Sequence, residues 1–185
     1  MLNTLTAGLL VLGARIASAI DFSDWDPQPG LPSEFRPFLE ALVNAAERRD
    51  VTTGYTDYFP PDGMQTTLTI HCVGAARIQA CKEAFLVNGR EIVHFPNTTF
   101  VAENNNTATV YESHGRIEMT YPVPSGNCSQ QYYKTQYTIL KKETEQTVEA
   151  LPNLSLKPEA QVYWYHDVYV WPATLATDIP CDSRK

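Results

Sequence analysis

The sequence lacks the signatures of several large classes of protein. It has no apolar run of the roughly 20 residues that a membrane-spanning helix needs, and it has no internal repeat or low-complexity tract. Acidic residues outnumber basic ones, 21 to 14, which gives a formal net charge of -7 without any basic stripe. Nucleic acid and anionic membranes are bound by clustered lysines and arginines, so neither is expected as a partner.

Several catalytic motifs are also absent. There is no G-x-S-x-G sequence, which argues against an α/β-hydrolase triad, and no glycine loop that could cradle phosphates. The histidines show no metal-ligand spacing such as H-x-x-x-H; convergence of three strand histidines in space is the remaining alternative. We therefore expect no metal and no cofactor. The four histidines are His71, His94, His114 and His166.

Residues 1–19 have the pattern of a secretory signal peptide. Their short apolar run ends in Ala17-Ser18-Ala19, an A-x-A cleavage pattern, although Arg15 lies late in the run and no basic residue precedes it. The alternative is a buried N-terminal helix. We expect a secreted, extracellular protein.

Cysteines and glycosylation sequences agree with secretion. An even number of cysteines in a small domain suits an oxidising compartment. Three pairings are open, among them a local bridge at the start of the third helix with a second bridge that ties down the C-terminal tail, residues 173–185. The cysteines are Cys72, Cys81, Cys128 and Cys181. The N-x-[ST] sites, expected on exposed loops or strand ends, are Asn97, Asn105, Asn127 and Asn153.

Helical patterns fill the first half of the chain. A proline- and aspartate-rich stretch, residues 20–33, predicts an extended arm. Ser33 then caps a helix over residues 34–50, with Arg48 and Arg49 in its last turn. A short helix stopped by Pro60-Pro61, a short strand over residues 67–74 and a third helix over residues 74–89 follow. The apolar face of the first helix is Phe35, Phe38, Leu39, Leu42, Val43 and Ala46; that of the third is Ile78, Cys81, Ala84 and Phe85.

The second half alternates like β-strands. Helices followed by an antiparallel sheet predict an α+β architecture. In residues 107–123 the apolar side chains change from even to odd positions at His114-Gly115, which predicts a β-bulge there and a strongly curved sheet. In the strand QVYWYHDVYVWP, residues 161–172, His166 and Asp167 point to opposite faces, so they cannot form a dyad.

The order of elements resembles the nuclear transport factor 2-like superfamily, which includes ketosteroid isomerase, scytalone dehydratase and the SnoaL-like cyclases. The segments that carry the resemblance are YTDYFPPDG, VGAARIQACKEAF and HFPNTTFVAENNNTATVYESHGRI, within a domain of residues 34–172. The resemblance implies a cystatin-like cone: helices packed in a strongly curved antiparallel sheet, here stabilised by disulfides, with an apolar pocket at the wide end. Many members pair through the outer sheet face.

The resemblance carries over only part of the active chemistry. His94 matches the histidine that begins the first long strand of dehydratase-like members. The position of those members' second histidine corresponds to about Met119 or Thr120, so this chain lacks it there. The acid-bearing part of the first helix corresponds to residues 43–46, which hold no carboxylate. Asp57 and Glu112 are substitute candidates, each with a surface role as its alternative. The expected pocket lining is Tyr55, Tyr58, His94, Met119, Tyr137 and His166.

Two functions follow. The missing acid and the aromatic content favour a secreted glycoprotein that binds a small apolar molecule, or a protein partner, without catalysis. The alternative is a SnoaL-like or dehydratase-like lyase or isomerase that works by proton transfer on a small organic substrate and needs His94 beside an acid. A third class, an interaction protein acting on another organism, depends on the source.

Overall fold

The computed structural model describes residues 18–121, 128–143, 147–156 and the strand path of 162–169. These contain two α-helices, two short 3-10 helices and seven strands. In chain order they are β1 Asp26–Pro27, α1 Phe35–Glu47, a 3-10 helix Thr56–Tyr58, β2 Met64–Thr67, β3 Ile70–Val73, α2 Ala75–Phe85, a 3-10 helix Val87–Gly89, β4 Glu91–Asn104, β5 Ala108–Thr120, β6 Cys128–Leu140 and β7 Val162–Tyr169. Neither α-helix is long and apolar enough to cross a membrane.

The strands form one sheet in the order β1-β4-β5-β6-β7-β2-β3. The α+β prediction is confirmed, but the sheet is mixed, since β1 pairs with β4 and β2 with β7 in parallel. The first parallel pair forms where the N-terminal arm, which contains β1, runs alongside β4. The second forms where β2, which follows α1 in the chain, lies beside β7. The long antiparallel strands β4, β5 and β6 form the wall on which α1 packs.

Helix α1 supplies the centre of the core. Every residue of its predicted apolar face is buried, and the ring of Phe35 stacks on Tyr111 of β5 at 4.4 Å between centroids. The predicted ends were wrong by a few residues. Ser33 donates its hydroxyl proton to Glu34 instead of capping the helix, and Arg48 has left the helix for an extended conformation.

Two further predictions near α2 were wrong. The single strand predicted over residues 67–74 is a hairpin, β2 and β3, turned at Leu68 with a φ of 54°. On α2 the buried pair is Ile78 and Lys82, four residues apart, whereas Ala84 is exposed. The buried face of α2 differs from the predicted one because Lys82 points inward. Its ammonium donates to the carbonyl oxygen of Ala45, near the end of α1, and to that of Val51, just beyond the helix.

The predicted bulge lies on the neighbouring strand. Strands β5 and β6 pair without interruption, and the register shifts occur in β4, between Pro96 and Thr99 and between Val101 and Glu103. Pro96 has no N–H to donate to the ladder, which suits an irregular position. Opposite it, a side chain on Gly115 would approach the carbonyl oxygen of Phe95 to 2.4 Å, so glycine allows β4 to bend closely over β5.

One of the predicted disulfides is described in full. Cys72 of β3 and Cys81 of α2 are bonded, which closes a short loop between the hairpin and the helix. Cys128 is disulfide-bonded as well, while Cys181 lies outside the described residues. The tie of the C-terminal tail therefore stays a prediction.

The N-terminal arm holds β4 at His94. The backbone N–H of His94 donates to Ala19 and its carbonyl accepts from Asp21, both at 2.8 Å. Ala19 itself is buried, and its N–H donates to the Asn44 side chain at 2.9 Å. Cleavage after Ala19, the position the signal-peptide pattern predicts, would remove the carbonyl that pairs with His94.

Candidate functional site

A cavity of about 200 Å³, which we call the cone cavity, lies between the helices and the sheet. It lies where α1 and α2 end, β4 and β6 begin and β5 ends. Its apolar lining is Leu68, Phe85, Ile92, Ile117, Met119 and Tyr121, and its polar lining is Glu47, Gln65, Thr67, Arg90, His94, Ser129 and Gln131. The cavity therefore combines six apolar side chains with seven polar ones, a mixed lining that can hold the body of a small molecule and orient its polar groups.

Glu47 is the acid of the cone cavity. It is the last residue of α1 and is half-buried. Desolvation raises the pKa of its carboxyl group to about 7, against the nearby positive charges of Lys82 and Arg90, which lower it. A carboxyl group with a pKa near neutrality can both give and take a proton under physiological conditions. The family resemblance placed the acid-bearing stretch of the first helix at residues 43–46, and Glu47 is the next residue.

Lys82 holds the end of α1 on which Glu47 sits. Its side chain is buried, and its ammonium donates to the carbonyl oxygen of Ala45 at 2.5 Å and to that of Val51. Burial lowers the pKa of Lys82, while the charge of Glu47 raises it. The Ala45 carbonyl is one that the helix end leaves without an intrahelical partner, so Lys82 holds the end of α1 that carries Glu47.

His94 lines the same cavity. It is buried, and its ring lies edge-on to Tyr133 with centroids 5.3 Å apart. Met119 also lines the cavity, at the place expected for a second histidine. The structure thus brings a histidine and a carboxyl group into one chamber.

The other sequence candidates lie elsewhere. Asp57 is exposed on its 3-10 helix. Tyr55 and Tyr58 belong to the core, where their hydroxyls donate to Gln65 and to the carbonyl of Leu156. Tyr137 packs against Phe35; burial raises its pKa, with a smaller contribution from the charge of Glu47. The His166 side chain lies outside the described residues.

Glu112 is on the outer face of the sheet. Tyr111 points to the core, so its neighbour Glu112 points away, where it bonds His114 at 2.6 Å and Gln136 at 2.7 Å and lies 3.5 Å from Lys134. Burial raises the pKa of Glu112, but these partners outweigh burial and leave it lowered. The carboxylate is a structural member of a polar network and not a cavity acid.

A larger depression of about 510 Å³ lies on the same outer face, between the arm and the sheet. Asp24, His114, Arg116 and Tyr132 are among its lining residues, and the pairing of Arg116 with Asp24 and Glu118 balances its charge. Because the charged groups of this depression are paired, the cone cavity is the stronger candidate site. No cluster of three or more potential metal-binding side chains occurs within the described residues.

The predicted glycosylation sites are placed unevenly. Asn97 is exposed in the irregular part of β4, and Asn105 is exposed in the turn after it. Asn153 is half-buried, and Asn127 lies outside the described residues.

Solved structures resemble this fold although their sequences differ. Aln2 from a Streptomyces species is 14% identical, with a TM-score of 0.53 over 78% of this chain and 93% of that one. A Catenulispora acidiphila protein in complex with S-DNPA is 14% identical, with a TM-score of 0.50 over 72% and 90%. A Nostoc punctiforme protein of unknown function with a cystatin-like fold is 12% identical, with a TM-score of 0.50 over 77% and 92%.

The sequence matches no protein-family model, and no curated protein matches it significantly. The likeness in structure therefore stands on topology. Helices on a curved sheet, the cavity between them and these structural neighbours agree with the architecture that the motifs implied. The chain has a cystatin-like cone fold.

Proposed function

We propose that the cone cavity binds a small, mainly apolar organic molecule and that Glu47 transfers a proton to or from it. The observation that carries the proposal is the placement of the Glu47 carboxyl group in the same cavity as His94 and six apolar side chains, where desolvation raises its pKa to about 7. The argument for binding without catalysis was the lack of an acid on the first helix, and Glu47 removes that argument.

The size of the cavity limits the ligand. An engineered protein cavity of about 150 Å³ accepts benzene, so about 200 Å³ suits a body of one or two rings. Proton transfer next to a carbonyl is the simplest reaction for one carboxyl group. Glu47 would remove a proton from a carbon beside the carbonyl and return one elsewhere, giving an isomerase, or would assist loss of water, giving a lyase.

Cavity filling tests the binding half of the proposal. The test ligand is 2-tetralone, a two-ring ketone, titrated into the protein while ligand NMR line widths are followed. Wild-type protein is expected to broaden the signals saturably. Met119→Trp, which fills the cavity, is expected to weaken binding at least about 10-fold, because its indole occupies the ligand's volume.

The matched control is Thr120→Trp, since Thr120 is the next residue of β5 and is exposed. It should bind 2-tetralone like the wild type. Equal binding by the Met119 variant, or no binding by wild-type protein, would remove the cavity from the proposal.

We also propose that the protein is secreted and glycosylated, as its N-terminal pattern and sequons predict. The exposure of Asn97 and Asn105 supports glycan attachment at these two sites. Pairing of two copies through the outer sheet face remains a proposal. Binding of a small molecule or a protein partner without catalysis is the alternative function, favoured by the largely apolar lining.

A further inference from the structure

Arg90 lines the cone cavity and carries one buried donor, Nε, without a hydrogen-bond partner among the described residues. It precedes β4 and lies over the ring of Tyr121 with 5.3 Å from its guanidinium carbon to the ring centroid. Buried donors on charged groups are almost always paired. An arginine in this state lacks an acceptor that a ligand can supply.

Thr67, the last residue of β2, lines the same cavity and also has an unsatisfied donor. The residue is only 9% exposed, and its Oγ1 atom is buried without a partner in the part of the chain that the structure describes. A threonine hydroxyl can donate to the same kind of acceptor as a guanidinium. Two unsatisfied donors in one small chamber indicate an oxygen-rich group on the ligand.

Glu47 is not the acceptor for the unsatisfied donor of Arg90. It lies within electrostatic range of Arg90, but no hydrogen bond or ion pair joins the two side chains among the described residues. With Glu47 protonated, no carboxylate among the lining residues that the structure describes balances the charge of Arg90. The other titratable groups described near Glu47 are His94, Lys82 and Tyr137. An anionic ligand would balance this charge.

We infer that the ligand of the cone cavity is a small aromatic or alicyclic acid whose carboxylate is bound by Arg90 and Thr67. This inference rests on the proposed function, because it needs the cavity to be a ligand site. The guanidinium fork matches the two oxygens of a carboxylate. The rings of the acid would pack against Ile92, Ile117 and Met119.

A pair of isosteric probes tests the inference. 2-Naphthoate and 2-naphthamide have the same ring system and nearly the same shape, but only the first is anionic. Their dissociation constants are measured by isothermal titration calorimetry on wild-type protein, Arg90→Met, Thr67→Val and Arg77→Met. Arg77 is an exposed arginine of α2 and serves as the matched control.

Wild-type protein is expected to prefer naphthoate by about 10-fold to 100-fold, the value of a hydrogen bond to a charged group. Arg90→Met should weaken naphthoate binding much more than naphthamide binding and so abolish the preference. Thr67→Val should reduce the preference by a smaller factor, and Arg77→Met should keep it. Circular dichroism confirms that each variant is folded, and Thr67→Val gives an independent answer if Arg90→Met does not fold.

The two levels of the proposal can fail separately. If naphthamide binds as tightly as naphthoate, or if Arg90→Met weakens both probes equally, the carboxylate site is wrong while the cavity remains a ligand site. If neither probe binds, the carboxylate site is wrong, and binding of 2-tetralone then decides whether the cavity is a ligand site.

Discussion

Replacement of Glu47 by glutamine is expected to slow hydrogen exchange next to the carbonyl of 2-tetralone at least about 100-fold. Glutamine keeps the shape of the side chain but cannot accept the proton, and general acid–base groups contribute roughly 100-fold to 10,000-fold to such reactions. The rate is followed by proton NMR in deuterated buffer, with wild-type protein, Glu47→Gln and a protein-free blank.

Binding must be separated from chemistry in this experiment. The exchange rate is measured over a range of 2-tetralone concentrations, which gives the maximal rate and the concentration at half saturation. Only the maximal rate should fall in the glutamine variant. The control is Glu40→Gln, which changes an exposed carboxyl group of the same helix. A Glu47→Gln protein that exchanges 2-tetralone as fast as the wild type would leave binding without catalysis as the function.

The second large effect concerns stability and pH. The pKa of Glu47 is raised from 4.5 to about 7 in the folded protein, so the native state holds this proton more tightly than the unfolded chain. The stabilisation is complete below about pH 4.5 and is lost as the pH rises to about 7. Each pKa unit corresponds to about 1.4 kcal/mol, so the loss is about 3 kcal/mol.

Urea unfolding at a series of pH values measures this loss. The free energy of unfolding of Glu47→Gln relative to that of the wild type should rise by about 3 kcal/mol between about pH 4.5 and about pH 8, because other titrating groups are common to both proteins. Glu40→Gln should run parallel to the wild type. Parallel curves for Glu47→Gln and the wild type would show that the carboxyl group is not desolvated.

The sequence predicts those elements of the fold whose apolar residues recur at a regular spacing. The apolar residues of α1 recur every three or four positions, and all of them are buried. Glu47 continues the row of Leu39 and Val43 at four-residue spacing, so a carboxylate on the buried face was a readable signal. It was missed because the resemblance aligned the acid-bearing stretch one residue earlier.

The rest of the site depends on tertiary contacts that leave no periodic pattern. Arg90 sits between a 3-10 helix and a strand, and Thr67 ends a short strand before an unexpected turn. Tyr55 and Tyr58 resemble pocket residues in sequence, but their rings fill the core and their hydroxyls find partners there. The bulge was assigned to β5 because its pattern changes there, although the extra residues belong to β4.

The central claim is that Glu47 is a cavity acid that titrates near neutrality. Its most direct test is a pH titration of the Glu47 side-chain carboxyl carbon by carbon-13 NMR, assigned by comparison with Glu47→Gln. The account predicts a midpoint at about pH 7 that moves when 2-tetralone fills the cavity. A midpoint at or below the ordinary value of 4.5, unchanged by the ligand, would contradict it.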